Sequence, residues 1–186
     1  DMNNYKKLNA AVDVKREIEQ LKAEGIQGLV LDLRNNGGGS LPAVVDMAGL
    51  FIENGPVVQV RSTGEPKQVL EDRDRSITWD GPLVILVNEL SASASEIMAA
   101  AMQDYKRAII IGSKQTYGKG TVQNVIDLNG WVRNNTNGDL GALALTTQKY
   151  YRISGGSVQL EGVKSDVVVP GKFSFIDVGE KDKENA

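Results

Sequence analysis

Gly28-Leu29-Val30-Leu31-Asp32-Leu33-Arg34-Asn35-Asn36-Gly37-Gly38-Gly39-Ser40-Leu41 reads as a strand, a tight turn and the start of a helix. A short, almost unbroken apolar run bounded by glycine is the pattern of a strand buried on both faces. Asn35 to Gly39 supplies the turn, because glycine and asparagine tolerate positive φ. Leu41 to Ile52 is mostly apolar and predicts a largely buried helix. The same unit recurs downstream. Pro82 to Val87 is a second buried-type strand, leading through Asn88-Glu89-Leu90 and Ser91 to Glu96 into a helix that ends near Tyr105; Ala108 to Ile111 is a third. Upstream, Val12, Val14, Ile18 and Leu21 among charged neighbours predict an amphipathic helix from Ala10 to Ala23, ended by Gly25. Buried strands alternating with helices favour an α/β fold with a mostly parallel central sheet and flanking helices.

Other stretches follow a different pattern. Pro56 to Arg61 and Gln68 to Leu70 read as strands paired across the Gly64 turn, followed by the charged loop Glu71 to Trp79. Thr121 to Leu128 and Ala142 to Tyr151 alternate as half-exposed strands on either side of the polar loop Asn129 to Gly141. Val158 to Leu160 and Val167 to Val169 add two short extended pieces. Additional antiparallel strands are therefore expected in the C-terminal part. Residues 1–170 are read as one domain, and 171–186 as a loosely attached charged tail that could dock through Phe173 and Phe175.

Composition narrows the chemistry. The 186 residues are 41% hydrophobic and 24% charged with a net charge of −3, which describes an ordinary globular domain with a real core. No basic stripe with interleaved aromatics points to nucleic acid, and no apolar run approaches the roughly 20 residues that span a bilayer. The polar opening Asp1-Met2-Asn3-Asn4 is unlike a secretory leader and suggests a piece of a longer protein. With neither cysteine nor histidine, disulfides and thiolate metal sites are excluded, and no cofactor is expected.

The absence of histidine sharpens one question. A serine needs a neighbouring base before it becomes a nucleophile, and histidine usually serves. Here Ser91-Ala92-Ser93-Ala94-Ser95-Glu96 lies at a strand-to-helix junction, where backbone amides and the helix dipole favour developing negative charge. Ser/Ala runs in isolation are commonly caps and packing spacers. Gly37 to Gly39 could present N–H groups to an oxyanion, but the spacing matches neither G-x-G-x-x-G nor a phosphate loop, and a glycine turn is the bland alternative. Lys119, between Gly118 and Gly120, is by itself a solvated loop lysine. What changes the reading is the conjunction of two backbone-donor turns and one lysine at the ends of successive sheet elements.

Leu31 to Gly39, Ser91 to Glu96 and Tyr117-Gly118-Lys119-Gly120-Thr121-Val122-Gln123 together resemble the carboxy-terminal processing peptidases, or tail-specific proteases, over about Gly25 to Pro170. The resemblance implies a crotonase/ClpP-like core, Ser93 as nucleophile, Lys119 as general base and Gln123 orienting it. On a strand, Lys119 and Gln123 would share a face. The implied oxyanion donors are the N–H of Ala94 and of Gly38 or Gly39. Asp104, eleven residues after Ser93, matches an auxiliary aspartate of some members, but its place near a helix end suggests a structural role. The family commonly reads Gly-Glu-Pro-Thr-Phe-Gly-Lys-Gly, whereas Gly112 to Gly120 is one residue longer and lacks the proline.

The resemblance also implies flexible protein C-termini as substrates, a PDZ domain N-terminal to this segment that captures tails by strand addition, and a periplasmic or envelope location. A free lysine titrates near 10.4, so such a base needs a downward shift of about 3 units. Two competitors keep the fold: a catalytically silent peptide-binding or scaffold module, and a crotonase-type enzyme acting on acyl thioesters, for which a Ser–Lys pair has no purpose.

Overall fold

A computed structural model describes residues 9–132, 136 and 138–184; the polar opening and part of the loop 129–141 lie outside the described residues. The elements run α1 (Ala10–Ala23), β1 (Leu29–Asp32), α2 (Leu41–Gly49), β2 (Gly55–Ser62), β3 (Gln68–Asp72), β4 (Leu83–Val87), α3 (Ala94–Asp104), β5 (Ile109–Gly112), β6 (Thr121–Asp127), β7 (Ala142–Tyr151) and β8 (Val167–Val168). Two sheets result. Sheet A has the order β1-β4-β5-β8 and is parallel throughout; sheet B has the order β3-β2-β7-β6 and is antiparallel. The α/β class with a parallel sheet and added antiparallel strands is therefore present.

Local chemistry sets the element ends. Asn9 caps α1 through its side chain, Ser40 caps α2 with Pro42 in the first turn, and Gly25 leaves α1 at φ 83°. Helix α3 is central. Its residues Ala94 to Met102 are all buried, and the run Ala99-Ala100-Ala101 lets neighbouring elements approach closely. The core joins α2 and α3 to Leu83, Ile85, Val87 and Ile110 on one face of sheet A and to Val57, Val58, Val60 and Tyr150 of sheet B.

Three expectations are corrected. The strands of sheet A are buried on one face only: Val30 is 59% and Ile109 52% exposed, because no described helix covers that side. Val158 to Leu160 forms no strand; Leu160 takes φ 67°, and the segment folds against Gly118 and Gly120 instead. Nor is the tail simply loose. Phe175 is 91% exposed, yet the Glu180 N–H donates to the Tyr117 carbonyl at 2.8 Å and Lys183 lies over the Tyr117 ring. No helix among the described residues is long and apolar enough to cross a membrane.

Candidate active site

Three turns meet beyond the C-terminal ends of β1, β4 and β5. The first is Asn35 to Gly39. Asn35 sits at φ 60° and exchanges hydrogen bonds with the side chain of Asn88, its N–H donating to Asn88 Oδ1 and Asn88 Nδ2 donating to Asn35 Oδ1, each at 2.9 Å. Asn36 accepts the Ala92 N–H on its carbonyl at 3.0 Å and the Gly38 N–H on Oδ1 at 2.9 Å. Gly38, at φ 103°, must lack a side chain. A Cβ there would lie 2.8 Å from Ser93 Cβ and 2.9 Å from the Ala94 nitrogen. The glycine turn is thus packed directly on the serine turn.

The three serines of the second turn do different things. Ser91 is fully buried; its hydroxyl donates to the Leu33 carbonyl at 2.8 Å and accepts from the Asn88 N–H at 3.0 Å, stitching β1 to the turn. Ser95 is buried inside α3 and lines a small apolar cavity with Met47, Met98 and Val44. Ser93 alone is partly open to solvent. It precedes the first residue of α3 at φ 56° and ψ −115°, a conformation glycine favours and other residues adopt at a cost of about 1–3 kcal/mol. That geometry belongs to a sharp strand-to-helix turn that lifts a side chain clear of its neighbours.

The third turn carries Lys119, and Glu96 joins it to the second. The Glu96 carboxylate is fully buried and accepts four hydrogen bonds. Oε1 takes the Thr116 hydroxyl at 2.6 Å and the Gly118 N–H at 2.7 Å; Oε2 takes the Ser93 N–H at 2.8 Å and the Lys119 N–H at 3.0 Å. One carboxylate oxygen therefore holds the main chains of both expected dyad members. Burial pushes the Glu96 carboxyl above the usual glutamate range, against the four hydrogen bonds that favour its charged form. In the Gly112–Gly120 loop Lys114 is exposed, whereas Thr116, Gly118 and Lys119 are bound to Glu96.

Lys119 itself is half-buried, and among the described residues its ammonium has no ion-pair partner. Gly118 and Gly120 serve close approach: a Cβ on either would come within 3 Å of the Leu160 or Gln159 backbone. Gln123 is exposed and makes no hydrogen bond with Lys119 among the described residues. Strand β6 begins only at Thr121, so the alternation that would align the two side chains does not extend back to Lys119. Asp104 lies at the far end of α3 and holds Arg152 through a two-point pair at 2.7 and 3.1 Å, largely shielded from water. In the sequence Glu96 closes the Ser91–Glu96 motif, and the signal for it is a carboxylate in the first turn of an otherwise small and apolar helix. Among the described residues, no group of three or more His, Cys, Asp or Glu could hold a metal ion.

The arrangement offers a strained serine at a helix N-terminus, a half-buried lysine on an adjoining turn and a glycine turn against the serine. Comparison with known proteins identifies the family. The tail-specific protease of Haemophilus influenzae is 47% identical over 174 residues, 94% of this chain and 25% of that protein. The carboxyl-terminal-processing protease of Synechocystis is 36% identical over 87% of this chain and 35% of its own length. The solved photosystem II D1 C-terminal processing protease superposes with a TM-score of 0.74 at 35% identity, over 87% of this chain and 39% of that one. The chain thus spans between a quarter and two fifths of these relatives. The model of peptidase family S41 matches residues 1–169, and the chain belongs to that family.

Proposed function

We propose that this segment is the catalytic domain of a serine endopeptidase working through a Ser93–Lys119 dyad. The supporting observation is the shared Glu96 oxygen, which accepts the N–H groups of both Ser93 and Lys119 and so brings together the backbones of two separate turns. Ser93 Oγ attacks the scissile carbonyl and neutral Lys119 Nζ takes its proton. The oxyanion that forms lies against the Ala94 N–H at the start of α3 and the Gly39 N–H. Gly39 is the better second donor because the Gly38 N–H is already given to Asn36. In a comparable protease one such donor is worth roughly 2.7–4 kcal/mol. As the intermediate collapses, the C–N bond breaks and the leaving amine recovers the proton from Lys119. Water then enters with Lys119 again as base, releasing the acid and free Ser93.

The substrate class is supported by the names of relatives, which specify tails and carboxy-terminal processing. Flexible protein C-termini are the proposed substrates, delivered by a PDZ domain elsewhere in the full-length protein, at the bacterial envelope. Labelling with a fluorophosphonate tests the chemistry. A Ser93 adduct, absent from Ser93→Ala, is the expected result; no Ser93-dependent adduct even at mildly alkaline pH would overturn the dyad.

A further inference from the structure

Both polar groups of the Lys119 backbone are held by side chains and not by a sheet ladder. Its N–H goes to Glu96, and its carbonyl accepts the hydroxyl of Tyr150 through a short hydrogen bond. Tyr150 is 2% exposed, with its ring among the core residues between sheet B and α3, and its own N–H donates to the Gly120 carbonyl at 3.0 Å. The same hydroxyl lies 3.2 Å from the Ser93 carbonyl. That carbonyl already accepts the Glu96 and Ile97 N–H groups at 2.9 and 3.0 Å, so the single phenolic proton is directed chiefly to Lys119. Among the described residues the phenol is the Lys119 carbonyl's one hydrogen-bond donor.

We propose that Tyr150 is a positioning residue for the Ser93–Lys119 reaction, its hydroxyl fixing the Lys119 carbonyl beside the Ser93 turn so that the amine reaches the serine. Glu96 holds the N–H groups of Ser93 and Lys119, and Tyr150 touches the carbonyls of the same two residues. The clamp has the right polarity to hold: burial and the nearby Glu96 charge both push the phenol's ionisation far upward, leaving it a proton donor. Without the hydroxyl, the Lys119 N–H still holds to Glu96 and the Gly120 N–H to Gln159 Oε1 at 2.7 Å, but the Lys119 carbonyl loses its hydrogen-bond donor and the turn its hold from that side. A displacement near 1 Å between reacting groups costs on the order of 10²-fold in rate. The inference rests on the proposed dyad.

The variant is Tyr150→Phe, which keeps the ring and removes the hydroxyl. Two measurements separate the possible failures. The first is hydrogen exchange of the backbone amides around Ser93 and Lys119, read by mass spectrometry with no reference to activity. The second is peptide hydrolysis, expressed as kcat and KM per fluorophosphonate-titrated site. The expected result is faster exchange confined to the segments around Gly118–Thr121 and Ser93–Ile97, together with a kcat lower by about tenfold to 10²-fold at unchanged KM. Unchanged local exchange, or a full kcat per titrated site, overturns the positioning role. Faster local exchange in a protein that never labels at Ser93 would leave the tether standing and remove the dyad it was thought to serve.

Discussion

Replacing Ser93 by glycine should make the protein more stable while abolishing reaction at that position. Ser93 sits at φ 56° and ψ −115°, where a residue bearing a Cβ carries strain of about 1–3 kcal/mol. Glycine relieves it, and its greater freedom in the unfolded chain takes back about 0.4–1 kcal/mol. The net gain is about 1 kcal/mol, which for a chain of this size is a rise of roughly 2–4 °C in melting temperature. Ser93→Ala is the control, since it removes the hydroxyl and keeps the Cβ and hence the strain. Paired thermal melts followed by circular dichroism, with urea unfolding for the free energies, read the difference between the two variants. At an ordinary backbone position glycine is the less stable partner by roughly 0.5–1 kcal/mol, so the sign alone decides. A glycine variant melting at or below the alanine variant would refute the strained turn.

Glu96→Gln replaces an acceptor oxygen by a donor amide facing N–H groups, leaving at least one buried donor unpaired, and should lower stability at neutral pH by about 2–4 kcal/mol in urea unfolding. The pH course has a definite sign. Because burial raises the folded-state pKa above the unfolded value, the native protein holds the extra proton between the two, so the Glu96 contribution is greatest below the ordinary glutamate range and is lost as pH rises through the raised value. The stability gap between the parent and Glu96→Gln should therefore shrink as pH rises through that window, and a gap that widens would contradict the assignment. Asp104→Ala should cost about 2–3 kcal/mol by stranding Arg152, a figure below the fully buried case because both side chains keep some exposure. It should leave Ser93 labelling per folded molecule unchanged, and a selective loss of labelling would restore a catalytic role to Asp104.

What could be read from the residues was whatever depends on local period. Helix α1 spans the range its apolar spacing indicates, and β7 has the expected bounds Ala142 to Tyr151, although its first five residues are all exposed and do not alternate in burial. The error over sheet A has a plain cause: an unbroken run such as Leu29-Val30-Leu31 says that a strand is apolar on both faces, not that both faces are covered. Val158 to Leu160 misled because β-favouring side chains outvoted a constraint lying elsewhere, the lack of side chains on Gly118 and Gly120 that draws the segment in. At the site, ordered motifs pointed to the positions of Ser93 and Lys119, but what joins them is tertiary. Glu96 is a carboxylate in a helix first turn, where such residues are routine. Tyr150 is an inward residue of an alternating strand, and nothing in its spacing says that its hydroxyl ends at Lys119.

The central claim is that the amine of Lys119 takes the Ser93 proton, and replacing that amine tests it most directly. Lys119→Ala leaves room for a small free amine, and single-turnover acylation of Ser93 by an activated peptide ester can be followed by intact mass. Acylation should fall by about 10²–10⁴-fold and recover in part with added methylamine, in proportion to its unprotonated form, with no recovery in Ser93→Ala. A Lys119→Ala protein that acylates at the parent rate would contradict the account.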